Sequence, residues 1–286
     1  MLIFDIETGP RPDDELRQVV EQFDPSRVSI PAGEFDPANV PGTRGIPTEF
    51  DSSTVKLGRM NDQAKIADKI AAARTEHARL VAERDQRIEQ ARAEFERAKA
   101  DAPRILAEAE ATHWSGVVGK AALSPITGRV LAIGYYNPIG DKVAINGVDE
   151  AGDEVKLLLA FWAKYATCRA ASRSMLGFNI FGFDLPFLAR RSWLLGVDLP
   201  TTLFDPSGRY FDRVFVDLMA RWKCGNYSDN IKLAGLAKFF GVGDKPDGVS
   251  GADFARLWAE DREQALAYLA NDLRMTAACA ARMGFV

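Results

Sequence analysis

The chain has 286 residues, of which 47% are hydrophobic and 27% charged, and a formal net charge of −4. That length supports one large domain or two small ones, with the composition of an ordinary globular protein. An acidic balance argues against a protein that coats nucleic acid by charge alone, and it fits a site that holds cations with carboxylates.

The chain opens on "MLIFDIETGP". Leu2, Ile3 and Phe4 read as a buried strand, and Thr8-Gly9-Pro10 ends it. Asp5 and Glu7 are two apart, so they stand on one face of that strand. Two carboxylates at a buried strand end call for cations, unless the end frays into solvent. Residues 24–53 are rich in Pro, Gly, Asp and Ser and read as a long irregular connection. From Asn61 to about Ala102 there is no Gly or Pro, and Ile66, Ile70, Ala73, Leu80, Ile88, Ala91, Phe95 and Ala98 recur mostly three or four apart. That is a thin helical stripe, suited to a coiled-coil-like seam. Pro103 fits the first turn of a following short helix, with Asp101 as its cap. An insertion over residues 58–113 is therefore expected within a domain made of 1–57 and 114–286.

An α/β pattern follows. Gly128–Asn137 and Lys142–Gly147 read as paired strands, and Asp153–Ala166 as an amphipathic helix. Ser174–Asn179 is a short buried strand that gives way to a helix from about Leu185, and Arg213–Met219 is a further strand. The remainder is helical, with Gly241 and Gly243 as stops and a final helix from about Arg262 to Met283. The expected fold is a mixed sheet flanked by helices, with the helical stretch inserted between its first and second strands. Cys168, Cys224 and Cys279 lie far apart without a C-x-x-C pair, which argues against a zinc cluster and points to a reducing compartment. No run is apolar enough to span a bilayer and no export signal stands at the start, so a cytoplasmic location is expected.

In "LGFNIFGFDLPFLARR", Asn179 ends a strand and Asp184 stands at the junction with a helix, where ligands collect in α/β sheets. Taken alone, Asp184 reads equally as a helix cap. Phe178, Phe181, Phe183 and Phe187 read as core packing ahead of base stacking. In "ALAYLANDLRMT", Tyr268 and Asp272 are four apart on one helix face.

These three stretches together resemble the exonuclease motifs of the DEDD superfamily of 3′–5′ exonucleases, which have a ribonuclease H-like fold. Asp5 and Glu7 match the first motif, Asp184 the second and Asp272 the third, and Tyr268 matches the tyrosine of the DEDDy branch. Both histidines, His77 and His113, lie in or beside the insertion, so the histidine variant does not fit. "FNIFGFD" is most similar to the second motif of proofreading domains in family-B DNA polymerases. The resemblance covers about residues 1–10 and 124–286 and implies a stand-alone exonuclease, since no polymerase domain follows. It implies two Mg²⁺ or Mn²⁺ ions held by Asp5, Glu7, Asp184 and Asp272, with Tyr268 orienting the attacking water. Ile6, Thr8 and Asn179 are the candidates to contact the terminal nucleotide. The implied partner is the 3′ end of single-stranded DNA. Two rivals stand: an RNA exonuclease similar to ribonuclease D, and a non-catalytic interaction protein on a nuclease-like scaffold. The insertion is expected to serve as a clamp, a surface for a protein partner or a device for self-association.

Overall fold

The protein was analysed as a computed structural model, which describes every residue except 60, 150–152, 206, 209, 227–228 and 245–249. Five strands form one sheet in the order β3-β2-β1-β4-β5. They are β1 (Leu2–Pro10), β2 (Gly128–Asn137), β3 (Lys142–Gly147), β4 (Met175–Gly177) and β5 (Phe215–Asp217). β1 and β2 pair antiparallel, as do β2 and β3, whereas β4 runs parallel to both β1 and β5. The sheet is central, with Ile3, Phe4, Ile133 and Leu176 fully buried. A strand covered on both faces must read as a nearly continuous apolar run, which is how β1 and β2 read.

The helices are α1 (Asp13–Val19), α2 (Gln63–Ala121), α3 (Asp153–Ala170), α4 (Asp184–Leu194), α5 (Leu218–Trp222), α6 (Leu233–Phe240), α7 (Phe254–Glu260) and α8 (Arg262–Arg282). Gly241 ends α6 at φ +66°, a left-handed conformation that a glycine adopts without strain. Two elements differ from expectation. α1 has no counterpart in the sequence reading. The strand expected through Met219 stops at Asp217, because the Asp217 side chain caps α5 and turns the next residues into a helix.

The chain divides into two compact units, Met1–Gln22 with Trp114–Val286, and Phe23–His113. Residues 23–57 fall with the inserted helix because they pack on it. In the second unit the expected thin stripe is present, with Ile66, Ile70, Ala73, Leu80, Ile88, Ala91, Phe95 and Ala98 all half-buried. No second helix covers it among the described residues. The stretch read as irregular does so, as a strap with three short 3₁₀ turns, Pro25–Arg27, Pro37–Asn39 and Ser52–Thr54. Each turn is capped by an aspartate side chain: Asp24, Asp36 and Asp51. The phenylalanine before each aspartate meets a ring on the helix: Phe23 on His113 at 5.9 Å, Phe35 on Phe95 at 5.7 Å and Phe50 on His77 at 5.6 Å between centroids. Helix cations add bonds to strap carbonyls, Lys99 to Gly33, Arg84 to Ile46 and Lys69 to Lys56. The helix also runs through Pro103 without the expected break. Proline inside a helix costs roughly 3 kcal/mol, and ring contacts at Phe95 and His113 hold the helix on both sides of it.

Candidate metal centre

β1 supplies the first two carboxylates. Asp5 lies opposite Gly134 of β2, and Glu7 opposite Ala132. Paired residues of an antiparallel ladder project to the same face, so Asp5 and the missing side chain of Gly134 share one. A Cβ on Gly134 would stand 2.7 Å from Leu273 Cδ1 and 3.0 Å from Leu269 Cγ. Both leucines belong to α8. The glycine therefore lets α8 lie directly on the sheet beside Asp5, and this close approach brings in Asp272. One carboxylate oxygen each from Asp5, Glu7 and Asp272 lies within 4.8 Å of the others. Glu7 and Asp272 are buried.

Asp184 arrives from the other side of β1. The ladder between β1 and β4 covers only Leu2 and Ile3, so further along β1 the backbone is left without a strand partner on that side. The Asp184 carboxylate takes its place and accepts the Ile6 N–H at 3.2 Å. The chain reaches this point through a tight turn. Asn179 has φ +62°, and its carbonyl accepts the N–H groups of Gly182 and Phe183 at 3.0 Å each. The turn is tied down by Asp217, whose carboxylate accepts the N–H of Asn179 at 3.0 Å and of Phe181 at 2.9 Å. The same carboxylate accepts Met219 and Ala220 N–H at the start of α5. Asp217 escaped the sequence reading, where it was one acid inside the strand expected over Arg213–Met219.

Burial pushes the Asp184 carboxyl up to about 7; the Ile6 N–H and a hydrogen bond with Asp5 oppose this, and the nearby Asp217 adds to it. Asp184 is 3% exposed, so desolvation of its charged form is the expected leading cause. Tyr268 stands one turn before Asp272 on α8, buried, with its hydroxyl hydrogen-bonded to Asp272. Burial raises its phenol well above the ordinary value, and the charges of Asp272, Glu7 and Asp5 raise it further. Tyr268 therefore keeps its proton at neutral pH.

The structure thus gathers Asp5, Glu7, Asp184, Tyr268 and Asp272 at one place between β1, the start of α4 and the middle of α8. The other three candidates have structural partners. Ile6 gives its N–H to Asp184, the buried Thr8 hydroxyl donates to the Ala122 carbonyl at 2.7 Å, and the Asn179 N–H goes to Asp217. The phenylalanine cluster divides: Phe187 is core, whereas Phe181 is 38% exposed. A cavity of about 790 Å³ opens elsewhere, lined by Arg169, Phe204, Tyr210, Phe211 and Arg213, and none of the five gathered residues lines it. The donor set suits a hard divalent cation, because all its ligand atoms are carboxylate oxygens. Among the described residues no helix is long and apolar enough to cross a membrane.

Comparison with known proteins adds three findings. No curated protein matches the chain. A family B DNA polymerase from the hyperthermophilic archaeon Pyrobaculum calidifontis is similar in structure over 58% of this chain, at 17% identity and a TM-score of 0.44. The match spans 23% of the polymerase chain. The RNase_H superfamily model matches residues 121–274, which contain β2 to β5, Asp184, Tyr268 and Asp272. With more than half its length in that match and a five-stranded mixed sheet in the order 3-2-1-4-5, the chain belongs to the RNase_H superfamily.

Proposed function

We propose that this protein is a metal-dependent 3′–5′ exonuclease that removes 5′-mononucleotides from the 3′ end of single-stranded DNA. The observation that carries this reading is the convergence of four carboxylates and one protonated tyrosine from three motifs. Asp5, Glu7 and Asp272 would hold one divalent ion and Asp5 with Asp184 a second. Such a pair of ions supplies a water of lowered pKa and balances charge on the phosphate and the leaving oxygen. The protein's own groups do the rest. Asp5 and Glu7 are fixed by the sheet ladder, so the ligand positions are set before substrate arrives. Asp184, whose carboxyl burial raises to about 7, would bind the ion in its deprotonated form, so a cation held there would favour loss of its proton. Tyr268 orients the attacking water through its hydroxyl, because a phenol that keeps its proton is a hydrogen-bond partner and a poor base. Water adds at the terminal phosphorus, the bond to the 3′ oxygen of the preceding nucleoside breaks, and that oxygen takes up a proton.

DNA is preferred over RNA on the resemblance of "FNIFGFD" to polymerase proofreading domains. The test is purified protein with Mg²⁺ or Mn²⁺ on end-labelled single-stranded DNA and RNA of matched sequence. Stepwise shortening of DNA from the 3′ end, stopped by chelator, is expected. Faster digestion of RNA would replace the substrate assignment. Activity that persists in excess chelator, or digestion strictly from 5′ ends, would overturn the reading.

A further inference from the structure

Two cavities adjoin where β4 and β5 begin. The larger, of about 790 Å³, is walled by the rings of Phe204, Tyr210 and Phe211, with Thr201 and Thr202 beside them. The smaller, of about 390 Å³, is walled by Ser172, Arg173 and Ser174. Arg169, Asp212 and Arg213 line both, so an aromatic half and a cationic half share a border. Arg173 and Ser174 stand just before β4 and Arg213 just before β5, whereas Asp184 follows β4 and Asp217 closes β5. These strands are parallel, so the paired cavities lie at the opposite strand ends from the metal centre.

The charges there favour an anion. Two carboxylates line the larger cavity, and both are committed to the protein. Asp212 accepts the Tyr165 hydroxyl and Arg169 Nε, both at 2.7 Å. Asp205 accepts the Ser207 hydroxyl and, at 3.1 Å, the Tyr210 N–H. Three arginines stand against these two acids. Arg173 is fixed by bonds to the Met1 carbonyl and the Asn137 side chain, both at 3.0 Å. Arg213 is exposed and forms no ion pair or side-chain hydrogen bond among the described residues. A guanidinium presents two parallel N–H groups, the geometry that a phosphate accepts. The aromatic half is set in advance, because Phe204 and Phe211 stack at 5.2 Å and 30° and are joined by a backbone bridge.

We propose that these cavities together bind a nucleoside monophosphate, with the base among Phe204, Tyr210 and Phe211 and the phosphate on Arg173 and Arg213. A planar ring system tied by a short linker to a dianion is the ligand that both halves fit at once. The larger volume lies in the range of roughly 300–1,000 Å³ that holds small molecules. Aromatic walls accept every base, so discrimination among bases should be slight. None of these residues is a candidate metal ligand, and the proposal does not rest on the exonuclease reading.

The test is calorimetric titration of the full chain in excess chelator, which keeps the metal centre silent. The titrants are adenosine 5′-monophosphate, thymidine 5′-monophosphate, adenosine and inorganic phosphate. Both nucleotides should bind saturably with Kd below about 1 mM, and adenosine and phosphate at least about ten-fold more weakly, since each fills one half. Tyr210→Ala and Arg213→Gln should each weaken nucleotide binding about ten-fold, the loss expected for one base–aromatic contact and one charge-assisted pair. Both side chains are exposed, so neither change should lower Tm. Asp272→Asn should bind the nucleotides as the wild type does. In the wild type, bound adenosine monophosphate should protect Arg213 from phenylglyoxal, read by peptide mass mapping, which needs no variant. No saturable nucleotide binding by about 5 mM, phosphate or adenosine binding as tightly as the nucleotide, or Arg213 left unprotected at saturation would overturn the proposal. So would Arg213→Gln within two-fold of wild type, or binding lost in Asp272→Asn, which would move the nucleotide to the metal centre. Each of these leaves the exonuclease reading to its own test of strand cleavage.

Discussion

Replacing Asp217 by asparagine changes almost no volume and one chemical property, so it isolates what the carboxylate does for the site. Asp217 accepts four backbone N–H groups, three on Oδ1 (Asn179, Met219 and Ala220) and one on Oδ2 (Phe181). In Asp217→Asn the amide oxygen keeps three partners and the NH₂ group faces the Phe181 N–H, donor against donor. One charge-assisted bond is lost, worth about 1.5–3 kcal/mol. The three retained bonds each weaken by roughly half, since the acceptor is now neutral. The amide is easier to bury than a carboxylate, which offsets part of this. A net loss of about 2–4 kcal/mol remains. For a folding unit of this size that lowers Tm by roughly 5–15 °C. A second readout moves with it. The nearby Asp217 is one reason the Asp184 carboxyl is raised to about 7, so a neutral neighbour should lower it. Thermal melts in chelator and amide exchange across residues 179–183 measure the first effect, and a ¹³C titration of the Asp184 carboxyl measures the second. A Tm within 2 °C of wild type together with unchanged exchange at 179–183 would refute the assignment of Asp217 as the anchor of the turn.

Four further outcomes are expected. Asp272→Asn should weaken Mn²⁺ binding in calorimetric titration and reduce turnover by about 10²–10⁴-fold, whereas Tyr268→Phe should keep metal affinity and lose less turnover; equal loss of affinity in both would reverse the roles. The Asp184 carboxyl, raised by burial to about 7 in the folded chain from the ordinary aspartate value of 3.8, stabilises the metal-free protein fully below about pH 4, and that contribution is lost as pH rises through 7. Denaturant unfolding between pH 4 and 8 in chelator should show this slope in the wild type and a flatter one in Asp184→Asn; identical slopes would contradict it. Gly134→Ala should force α8 away from β2, with about 1–3 kcal/mol of overpacking and weaker Mn²⁺ binding; retained affinity would show that α8 does not need that close approach. Pro103→Ala should restore one helical bond and stabilise α2 by up to about 3 kcal/mol, read as slower amide exchange around Lys99 and Pro103; unchanged exchange would mean that the strap already supplies that stability.

The site was legible where chemistry follows from spacing. Asp5 and Glu7 share a face because strands have period two, and Tyr268 and Asp272 share one because helices return after four residues. Their meeting was legible only from the order of the motifs. The means by which they meet was not. Gly134 carries no side chain to mark it, and its value depends on Leu269 and Leu273, more than a hundred residues away. Asp217 is meaningful only once the turn at 179–181 lies beside the end of β5. Phe181 reads like its neighbours in a run of phenylalanines, and only the course of the turn separates the exposed ring from the buried one. The strap is a different case, because its signal was in the sequence. Phe-Asp recurs at 23–24, 35–36 and 50–51, with valine at 28, 40 and 55. Proline and glycine hid that repeat behind the composition of a loop.

The strap also constrains how such an arm can change length. Its three rings dock at helix positions 113, 95 and 77, which are equally spaced at 18 residues. Eighteen residues are five whole turns and about 27 Å of rise. The helix is the rigid member of the pair and keeps strict count, while the strap spans successive anchors with 12 residues in one interval and 15 in the other. A single residue added to the helix between anchors would swing the next dock by about 100° around the axis and strand its phenylalanine in water. A single residue added to the strap would only slacken a loop. Viable arms of other lengths should therefore differ by whole modules, in steps near 18 helix residues or, at the cost of about 20° of rotation, in steps of 7 or 11. Loss of one module would take out one Phe-Asp-x-x-x-Val unit and its docking ring together.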